Sequence, residues 1–287
     1  MFSIIGIVVV IGAVIGGYLM EHGNVQVLLQ PAELVIIGGA ALGTLLIANP
    51  LGTVIKIFKS VLGILSSGKY SKTRYLETLK MLNDLFSMAR KGGLVSLEAH
   101  IEEPENSEFF KKYEPFLNDH HALHFLCDTL RTALSGTVSH YDLDQLIETD
   151  MDVHHKEAHK PVSALTTVAD ALPGLGIVAA VLGVVITMGA LGGPPSEIGH
   201  KVAAALVGTF LGILLCYGFL SPLAVNMNHA NEAEEQYYHC LRAGMIAFVR
   251  GAAPILAVEF SRRSIPAEVR PSFKEMEDAC RGEKAAA

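Results

Sequence analysis

Residues 170–222 have the sequence DALPGLGIVAAVLGVVITMGALGGPPSEIGHKVAAALVGTFLGILLCYGFLSP. This stretch consists of two long apolar runs around a short polar break that includes Glu197 and Lys201. The first run, residues 171–196, carries no charged residue, and neither does the second, residues 202–231. Because a helix needs about 20 mainly apolar residues to cross a bilayer, each run predicts one transmembrane helix.

Two more charge-free runs lie near the start of the chain, at residues 1–20 and 34–55. With the two later runs they predict four transmembrane helices. The first run does not have the pattern of a secretory signal peptide, because a signal peptide begins with a basic segment and the first Lys or Arg of this chain is Lys56.

The distribution of basic residues predicts the topology. All of the 22 Lys and Arg except Lys201 lie either in residues 56–160 or after Pro222. By the positive-inside rule, both termini and the long middle segment are therefore expected in the cytoplasm. The net charge of −7 leaves no broad basic face, which argues against a nucleic-acid-binding protein.

These patterns predict an all-α, polytopic membrane protein with four transmembrane helices and a helical cytoplasmic domain. Residues 1–55 would hold transmembrane helices 1 and 2, and residues 56–168 the cytoplasmic helical domain. Residues 169–223 would hold transmembrane helices 3 and 4, and residues 224–287 a cytoplasmic helical tail.

Three of the four predicted spans contain a pair of glycines four residues apart. Small residues at this spacing let neighbouring helices approach closely, which favours a tight assembly of several helices. The pairs are Gly12 and Gly16, Gly39 and Gly43, and Gly208 and Gly212.

The sequence contains no signature of an enzyme, a metal site or a cofactor site. The four cysteines are scattered without a CxxC pair, so a disulfide framework is not expected. His155 and His159 have a spacing that can bind a metal, but no set of carboxylates or cysteines completes a known signature. Phosphate-binding loops, nucleophile elbows and dinucleotide fingerprints are also missing from the sequence.

Charged residues inside membrane spans are the usual sign of an ion or proton pathway. Here Asp170 is expected at the cytoplasmic edge of the third span and Glu33 at the outer edge of the second. Thr209 and Tyr217 could solvate an ion or hold a water chain, but neither side chain titrates near neutral pH. If ions cross here, the protonatable carboxylate must therefore come from another chain.

Two prolines lie at the predicted cytoplasmic ends of the third and fourth spans. Pro173 follows Asp170, where it would occupy the first turn of a helix and cost little. Pro222 is followed by more charge-free sequence, so it is expected to kink its helix. The pair could pass conformational changes to the cytoplasmic domain, or could simply mark helix boundaries.

Arg90 and Glu98 lie on either side of the helix-breaking pair Gly92 and Gly93, with Ser96 as a candidate N-cap of the next helix. On composition alone, the two charged side chains predict a solvated surface with a weak ion pair.

Four segments of the sequence closely resemble the MotA family of flagellar stator subunits. The resemblance extends over essentially the whole chain, including its layout of two spans, a long loop and two spans. The segments are DALPGLGIVAAVLGVV (residues 170–185), ALVGTFLGI (residues 205–213), YGFLSP (residues 217–222) and ARKGGLVSLE (residues 89–98).

The resemblance implies an ion-driven rotary motor in the bacterial inner membrane. Members of this family form a ring of five chains around two copies of a single-span partner, MotB, whose membrane aspartate carries the proton. Carried over by position, the side chains facing that aspartate would be those of Pro173, Ala180, Leu206, Thr209 and Tyr217. No cofactor is implied, and the absence of extra polar groups around Thr209 favours protons over sodium as the transported ion.

The resemblance also assigns roles outside the ion path. Arg90 and Glu98 would make electrostatic contacts with the rotor protein FliG. Weak surface charges suit contacts that must form and break repeatedly as a rotor passes. Pro173 and Pro222 would take part in conformational coupling.

Three other classes of protein fit the sequence less well. A subunit of a Tol- or Ton-type energy-transducing complex resembles the third and fourth spans, but four spans and the segment from Arg90 to Glu98 argue against it. A secondary transporter should show internal repeats or a charged midplane site, and neither is visible. A membrane-bound enzyme should show an acid–base or metal constellation, which is missing from the sequence.

Overall fold

The computed structural model describes residues 2–64, 68–189 and 192–281, and within these ranges every regular element is helical and none is a strand. The predicted all-α class is therefore confirmed. The chain divides into two compact units. The first unit comprises residues 1–67 and 157–230, and the second comprises residues 68–156 and 231–287.

The helices follow one another with short connections. The first four are α1 (Phe2–Met20), α2 (Val25–Leu28), α3 (Pro31–Ala48) and α4 (Leu51–Ile64). The next four are α5 (Lys72–Gly92), α6 (Glu98–Glu102), α7 (Glu114–Leu117) and α8 (His120–Leu134), with 3₁₀ turns at Leu94–Leu97 and Phe110–Tyr113. The last five are α9 (His140–Met188), α10 (Pro195–Ile213), α11 (Ser221–Val249), α12 (Pro254–Ser264) and α13 (Phe273–Arg281), with a π-helical segment, Leu214–Leu220, between α10 and α11.

Four stretches of the described chain are long and apolar enough to cross a membrane. They are α1, the segment Val25–Ala48, part of α9, and part of the helical segment Pro195–Val249. At 1.5 Å per residue, the 19 residues of α1 extend about 28 Å, close to the thickness of the hydrocarbon core of a bilayer.

The predicted second span is interrupted in the structure. The charge-free run of residues 34–55 does not form one continuous helix, because α3 ends at Ala48 and α4 begins at Leu51. The residue before a proline is pushed out of the helical region, and Asn49 before Pro50 is extended, with φ −133° and ψ 145°. Hydropathy alone does not detect this break.

Pro173 lies inside a helix, contrary to the prediction that it occupies a first turn. The helix α9 begins at His140, and both Pro161 and Pro173 are in its interior. An interior proline removes one backbone hydrogen bond and clashes with the preceding turn, and in membrane proteins neighbouring groups often compensate for this loss. Here the two prolines do not end the helix.

The helix before Pro222 also differs from an ordinary α-helix. The N–H of Ser221 donates to the carbonyl of Cys216, five residues back, and residues 214–220 form a π-helical segment. Proline has no N–H to donate and needs extra room for its ring, and a π-helical turn directly before it is a local adjustment of this kind. The irregularity predicted at Pro222 therefore takes the form of a wider turn.

The core of the first unit is formed by small and aliphatic residues. It includes Ile37, Ala41 and Leu45 of α3, together with Leu172 and Ala179 of α9. In contrast, α1 buries no residue at all within the chain. Two contacts nevertheless locate it: the amide of Asn226 donates to the hydroxyl of Ser3 at 2.7 Å, and a Cβ on Gly218 would lie 3.2 Å from Cγ1 of Val10.

The core of the second unit is built around α5, which packs against α12 and α13. It is rich in aromatic residues: the rings of Phe86 and Phe248 stack with centroids 4.4 Å apart. A buried polar contact supplements it, with the hydroxyls of Thr78 and Tyr237 2.7 Å apart.

Candidate ion path and candidate rotor surface

A seam of small residues brings α9 and α10 into backbone contact. A Cβ on Gly176 would lie 2.9 Å from the carbonyl oxygen of Gly208 and 3.3 Å from Cα of Thr209. A Cβ on Gly212 would lie 2.6 Å from the carbonyl oxygen of Leu172. The close approach predicted from Gly208 and Gly212 is therefore present, and it fixes Thr209 beside the backbone of α9.

The other two glycine pairs have no such contact within this chain. For Gly12, Gly16, Gly39 and Gly43, no described atom outside the local helix lies within 4 Å of an added Cβ. These two helices therefore present small residues to the outside of the single chain.

The five residues predicted for the ion path lie on α9, on α10 and on the π-helical segment that follows α10. Pro173 and Ala180 are half-buried and lie seven residues apart in α9, which puts them on the same side two turns apart. In α10, Thr209 is half-buried and Leu206 is 65% exposed, and Tyr217 in the following π-helical segment is 68% exposed. All five residues are thus half-buried or exposed on the single chain, and their roles in the ion path stay predictions.

The hydroxyl of Thr209 differs from those of the threonines in α9. Thr166, Thr167 and Thr187 each donate to the carbonyl oxygen four residues back, at 2.8–2.9 Å. Thr209 has no hydrogen-bond partner among the described residues, so its hydroxyl does not bond to a neighbouring helix of this chain. Its hydroxyl remains available to a water molecule, an ion or another chain.

Glu33 is a buried acid that the sequence interpretation missed. It was expected at the outer edge of the second span, but it is only 6% exposed. Its carboxylate lies against α10, since a Cβ on Gly208 would be 2.6 Å from Oε2, and Ala179 of α9 borders the same point. Two features of the sequence could have indicated this burial: Glu33 is the single acid between residues 25 and 48, and Gly208 has no side chain.

Arg90 and Glu98 lie on opposite sides of a glycine turn in the second unit. Arg90 is exposed in the last turn of α5, and Gly93, at φ +77°, reverses the chain after it. The predicted N-cap role of Ser96 is wrong, because its hydroxyl donates back to the carbonyl oxygen of Gly93 at 2.7 Å. A Cβ on Gly92 would lie 2.8 Å from Cβ of Ser96, so the turn has no room there for a side chain.

The predicted weak ion pair between Arg90 and Glu98 is not formed. Both side chains are exposed, and neither makes an ion pair with a described residue. The nearby Glu102 differs, because Arg131 donates to it at 2.8 Å and this hydrogen bond lowers the pKa of the Glu102 carboxyl. The turn therefore presents one positive and one negative charge that are open to an outside partner.

The histidine-rich segments make contacts with acidic side chains in the second unit. Nδ1 of His155 lies 3.1 Å from a carboxylate oxygen of Glu235. In residues 2–64, 68–189 and 192–281, no three His, Cys, Asp or Glu side chains are arranged to hold a metal ion.

Together these features define a class: an all-helical protein with four membrane-length apolar segments and a close-packed hairpin bearing a free hydroxyl. Comparison with known families specifies it further. Residues 4–93 match the family described as Motility protein A N-terminal, and residues 118–239 match the MotA/TolQ/ExbB proton channel family. Motility protein A of Escherichia coli K12 is 39% identical over 284 residues, covering 99% of this chain and 96% of that protein. Motility protein A of Salmonella typhimurium is 40% identical over 281 residues, covering 98% and 95%.

The chain belongs to the motility protein A family, and its role is that of a proton-channel subunit of the flagellar stator. The alternative of a Tol- or Ton-type subunit is not favoured, because relatives matched over the full length are motility proteins.

Solved structures share the fold. The MotAB stator complex of Bacillus subtilis contains a chain that matches with a TM-score of 0.75 at 23% identity, over 93% of this chain and 97% of that one. A chain of MotAB from C. jejuni matches with a TM-score of 0.77 at 17% identity, over 94% and 98%.

Proposed function

We propose that this chain assembles with a MotB subunit in the bacterial inner membrane and there converts proton flow into torque on the rotor. The full-length similarity to motility protein A carries this proposal. The four apolar segments would be transmembrane helices, and both termini and the middle segment would lie in the cytoplasm, because the two short inter-span loops are nearly free of basic residues.

In the proposed ion path, the proton carrier is the membrane aspartate of MotB. The α9–α10 hairpin forms the wall that it faces, with Pro173, Ala180, Leu206, Thr209 and Tyr217 towards the partner. The unpartnered hydroxyl of Thr209 supports this assignment, because it can both donate to and accept from a water or a carboxyl group. No cofactor is required, because one proton moving through about 100 mV supplies about 2.3 kcal/mol.

Torque would be delivered by the second unit. Arg90 and Glu98 contact oppositely charged groups on FliG as five copies of the chain turn around two copies of MotB. The absence of a described ion-pair partner supports this assignment, because a charge already neutralised within the chain, as in Glu102 and Arg131, would be a weaker contact. Pro173 and Pro222 transmit the protonation-dependent change at the hairpin.

The ion path is tested by replacing Thr209 with valine, which keeps the shape and removes the hydroxyl. Thr187→Val is the matched control, because the hydroxyl of Thr187 is already bonded to the carbonyl of Gly183. In a stator-deletion strain, we expect T209V to lower torque several-fold at normal membrane levels, and T187V to behave nearly as wild type. Equal torque in T209V and wild type would exclude the hydroxyl from the path.

The rotor surface is tested by charge reversal at Arg90. Lys112 is exposed in the same unit without a described ion-pair partner, so Lys112→Glu is the control for net charge. We expect Arg90→Glu to reduce torque strongly, reversal of a facing acid on FliG to restore part of it, and K112E to have little effect. If rotation of the wild type does not follow the proton gradient, the proposed function itself is wrong.

A further inference from the structure

Among the described residues of the first unit, only Glu33 has a fully buried polar side-chain atom without a hydrogen-bond partner. It is 94% shielded from solvent, and Oε2 has no hydrogen-bond partner among the described residues. The oxygen is aimed at Gly208, where even a methyl group would approach it to 2.6 Å. The absence of a side chain at Gly208 is therefore what makes room for the carboxyl group.

The carboxyl lies at depth within the apolar segments, although Glu33 belongs to the first turn of α3. Gly208 is seven residues beyond Lys201, which is about 10 Å along α10 at 1.5 Å per residue. Gly208 also precedes Thr209, the residue with the unpartnered hydroxyl. The acid thus reaches the same level of the hairpin as the candidate ion path.

A buried ionised carboxylate without a partner costs several kcal/mol, so the group is expected to be neutral when it is dry. In the part of the chain that the structure describes, no Lys, Arg or His forms an ion pair with it. In the elements packed around it, α2 and residues 171–188 of α9 contain no titratable side chain. On α10, the titratable groups are Glu197, His200 and Lys201, all in its first two turns, and Lys201 is paired with Glu197 at 3.1 Å.

We propose that Glu33 is a proton-exchange site of this chain, on the outer side of the ion path. The ionised carboxylate takes a proton from outer water, becomes a neutral acid, and releases the same proton through water to the next acceptor. Its own charge is then restored and the proton has advanced by one site. The inference rests on the proposed function, in which the next acceptor is the membrane carboxylate of the partner.

The first experiment compares Glu33→Gln and Glu33→Asp in the complete stator complex in cells. Glutamine keeps the size and polarity but cannot carry a proton, whereas aspartate can. We expect E33Q to lower motor speed at least several-fold at high load and to weaken its dependence on outer pH, with E33D keeping both in part. Glu21→Gln is the control, because Glu21 is exposed at the end of α1. An E33Q motor that matches wild type in speed and pH dependence overturns the proposal.

A second measurement uses the wild-type complex and does not depend on the folding of a variant. Hydrophobic carbodiimides add to neutral carboxyl groups in apolar surroundings, and the adduct is located by mass spectrometry. We expect Glu33 to be labelled, with a rate that falls as outer pH rises, and Glu21 to remain unlabelled. If the partner's membrane carboxylate is labelled while Glu33 is not, the proposal is wrong. Rotation of the wild type that ignores the proton gradient would instead refute the proposed function.

Discussion

The two units of the chain place their apolar side chains in opposite ways. In the second unit, α5 contributes seven buried side chains, between Tyr75 and Ala89, to a closed core of aromatic and aliphatic residues. In the first unit, α1 buries none of its residues, and most of its large apolar side chains are exposed on the single chain. The second unit therefore has a core of its own, whereas the first presents apolar surface that suits lipid or other chains.

The largest difference between the units is expected for the loss of an aromatic ring. Phe86 in the second unit is fully buried and stacked on Phe248, whereas Phe58 in the first unit is 55% exposed. We expect Phe86→Ala to destabilise the second unit by about 3–5 kcal/mol, since it removes buried area and leaves a cavity. Hydrogen exchange of α5 and α12 peptides in the assembled protein measures this loss.

The matched variant is Phe58→Ala, which changes the same residue type where little is buried. We expect its effect on local hydrogen exchange to stay below about 1 kcal/mol. Similar losses at both positions would mean that the exposed face of α4 is covered as tightly as the core of the second unit.

A smaller effect is expected at the seam of the first unit, where the backbone rather than a side chain makes the contact. Gly212→Ala would put a methyl group 2.6 Å from the carbonyl oxygen of Leu172, and the two helices would have to separate. Overpacking of this kind costs about 1–3 kcal/mol. Thermal unfolding in detergent and motility should both decline, whereas Gly174→Ala, which meets no described atom within 4 Å, should leave both unchanged. Equal behaviour of the two variants would argue against a tight seam.

Features that depend on local sequence could be predicted, whereas features that depend on the surrounding structure could not. Membrane-length apolar runs and the close approach at Gly208 and Gly212 follow from composition and spacing, which are local properties. The course of α9 through Pro173 does not, because the sequence rule treats an interior proline as a break and the surrounding helix overrides it. Hydropathy does not mark the break at Asn49 either, because that break comes from the local effect of Pro50 on the residue before it.

In the candidate site, too, some features could be predicted from the sequence and others could not. Arg90 and Glu98 were identified with the glycine turn between them, but the absence of an ion pair between them depends on side-chain directions. The burial of Glu33 could not be predicted, because it depends on which helix lies opposite, and Glu33 and Gly208 are 175 residues apart in the chain. From the sequence, the position of Glu33 in the first turn of its helix predicted only that it lies at the outer edge of the span.

The second unit also contains charged side chains that pair with one another. Arg262 donates two hydrogen bonds to Glu259 at 2.7 and 2.8 Å, and Arg263 donates one at 2.7 Å. These bonds, with that of Arg262 the largest influence, lower the pKa of Glu259 to about 2. Because the pKa is lower in the folded protein than in the unfolded chain, the stabilisation is complete above about pH 4.5 and is lost as the pH falls towards 2.

We expect Glu259→Gln to destabilise the second unit by about 1–2 kcal/mol at pH 7, with the difference from wild type shrinking as the pH falls below about 4.5. Thermal unfolding of both proteins at pH 7, 5 and 3 measures it. Arg263 is largely exposed, so the Arg263→Gln variant should cost less than E259Q. A difference between wild type and E259Q that grows on acidification would contradict the assigned direction of the pKa shift.

The smallest effect is expected for an exposed ion pair of the first unit. Lys56 of α4 lies 3.9 Å from a carboxylate oxygen of Glu157 in α9, and both side chains are more than half exposed. Such pairs contribute about 0–0.5 kcal/mol and are screened by salt, unlike the hydrogen-bonded Glu259. Lys56→Gln should therefore leave thermal unfolding in detergent unchanged within error at 0.15 M salt, and any difference should vanish at 1 M. A loss above 1 kcal/mol that persists at high salt would show that this end of the first unit is held by charge, and would weaken the distinction between the two units.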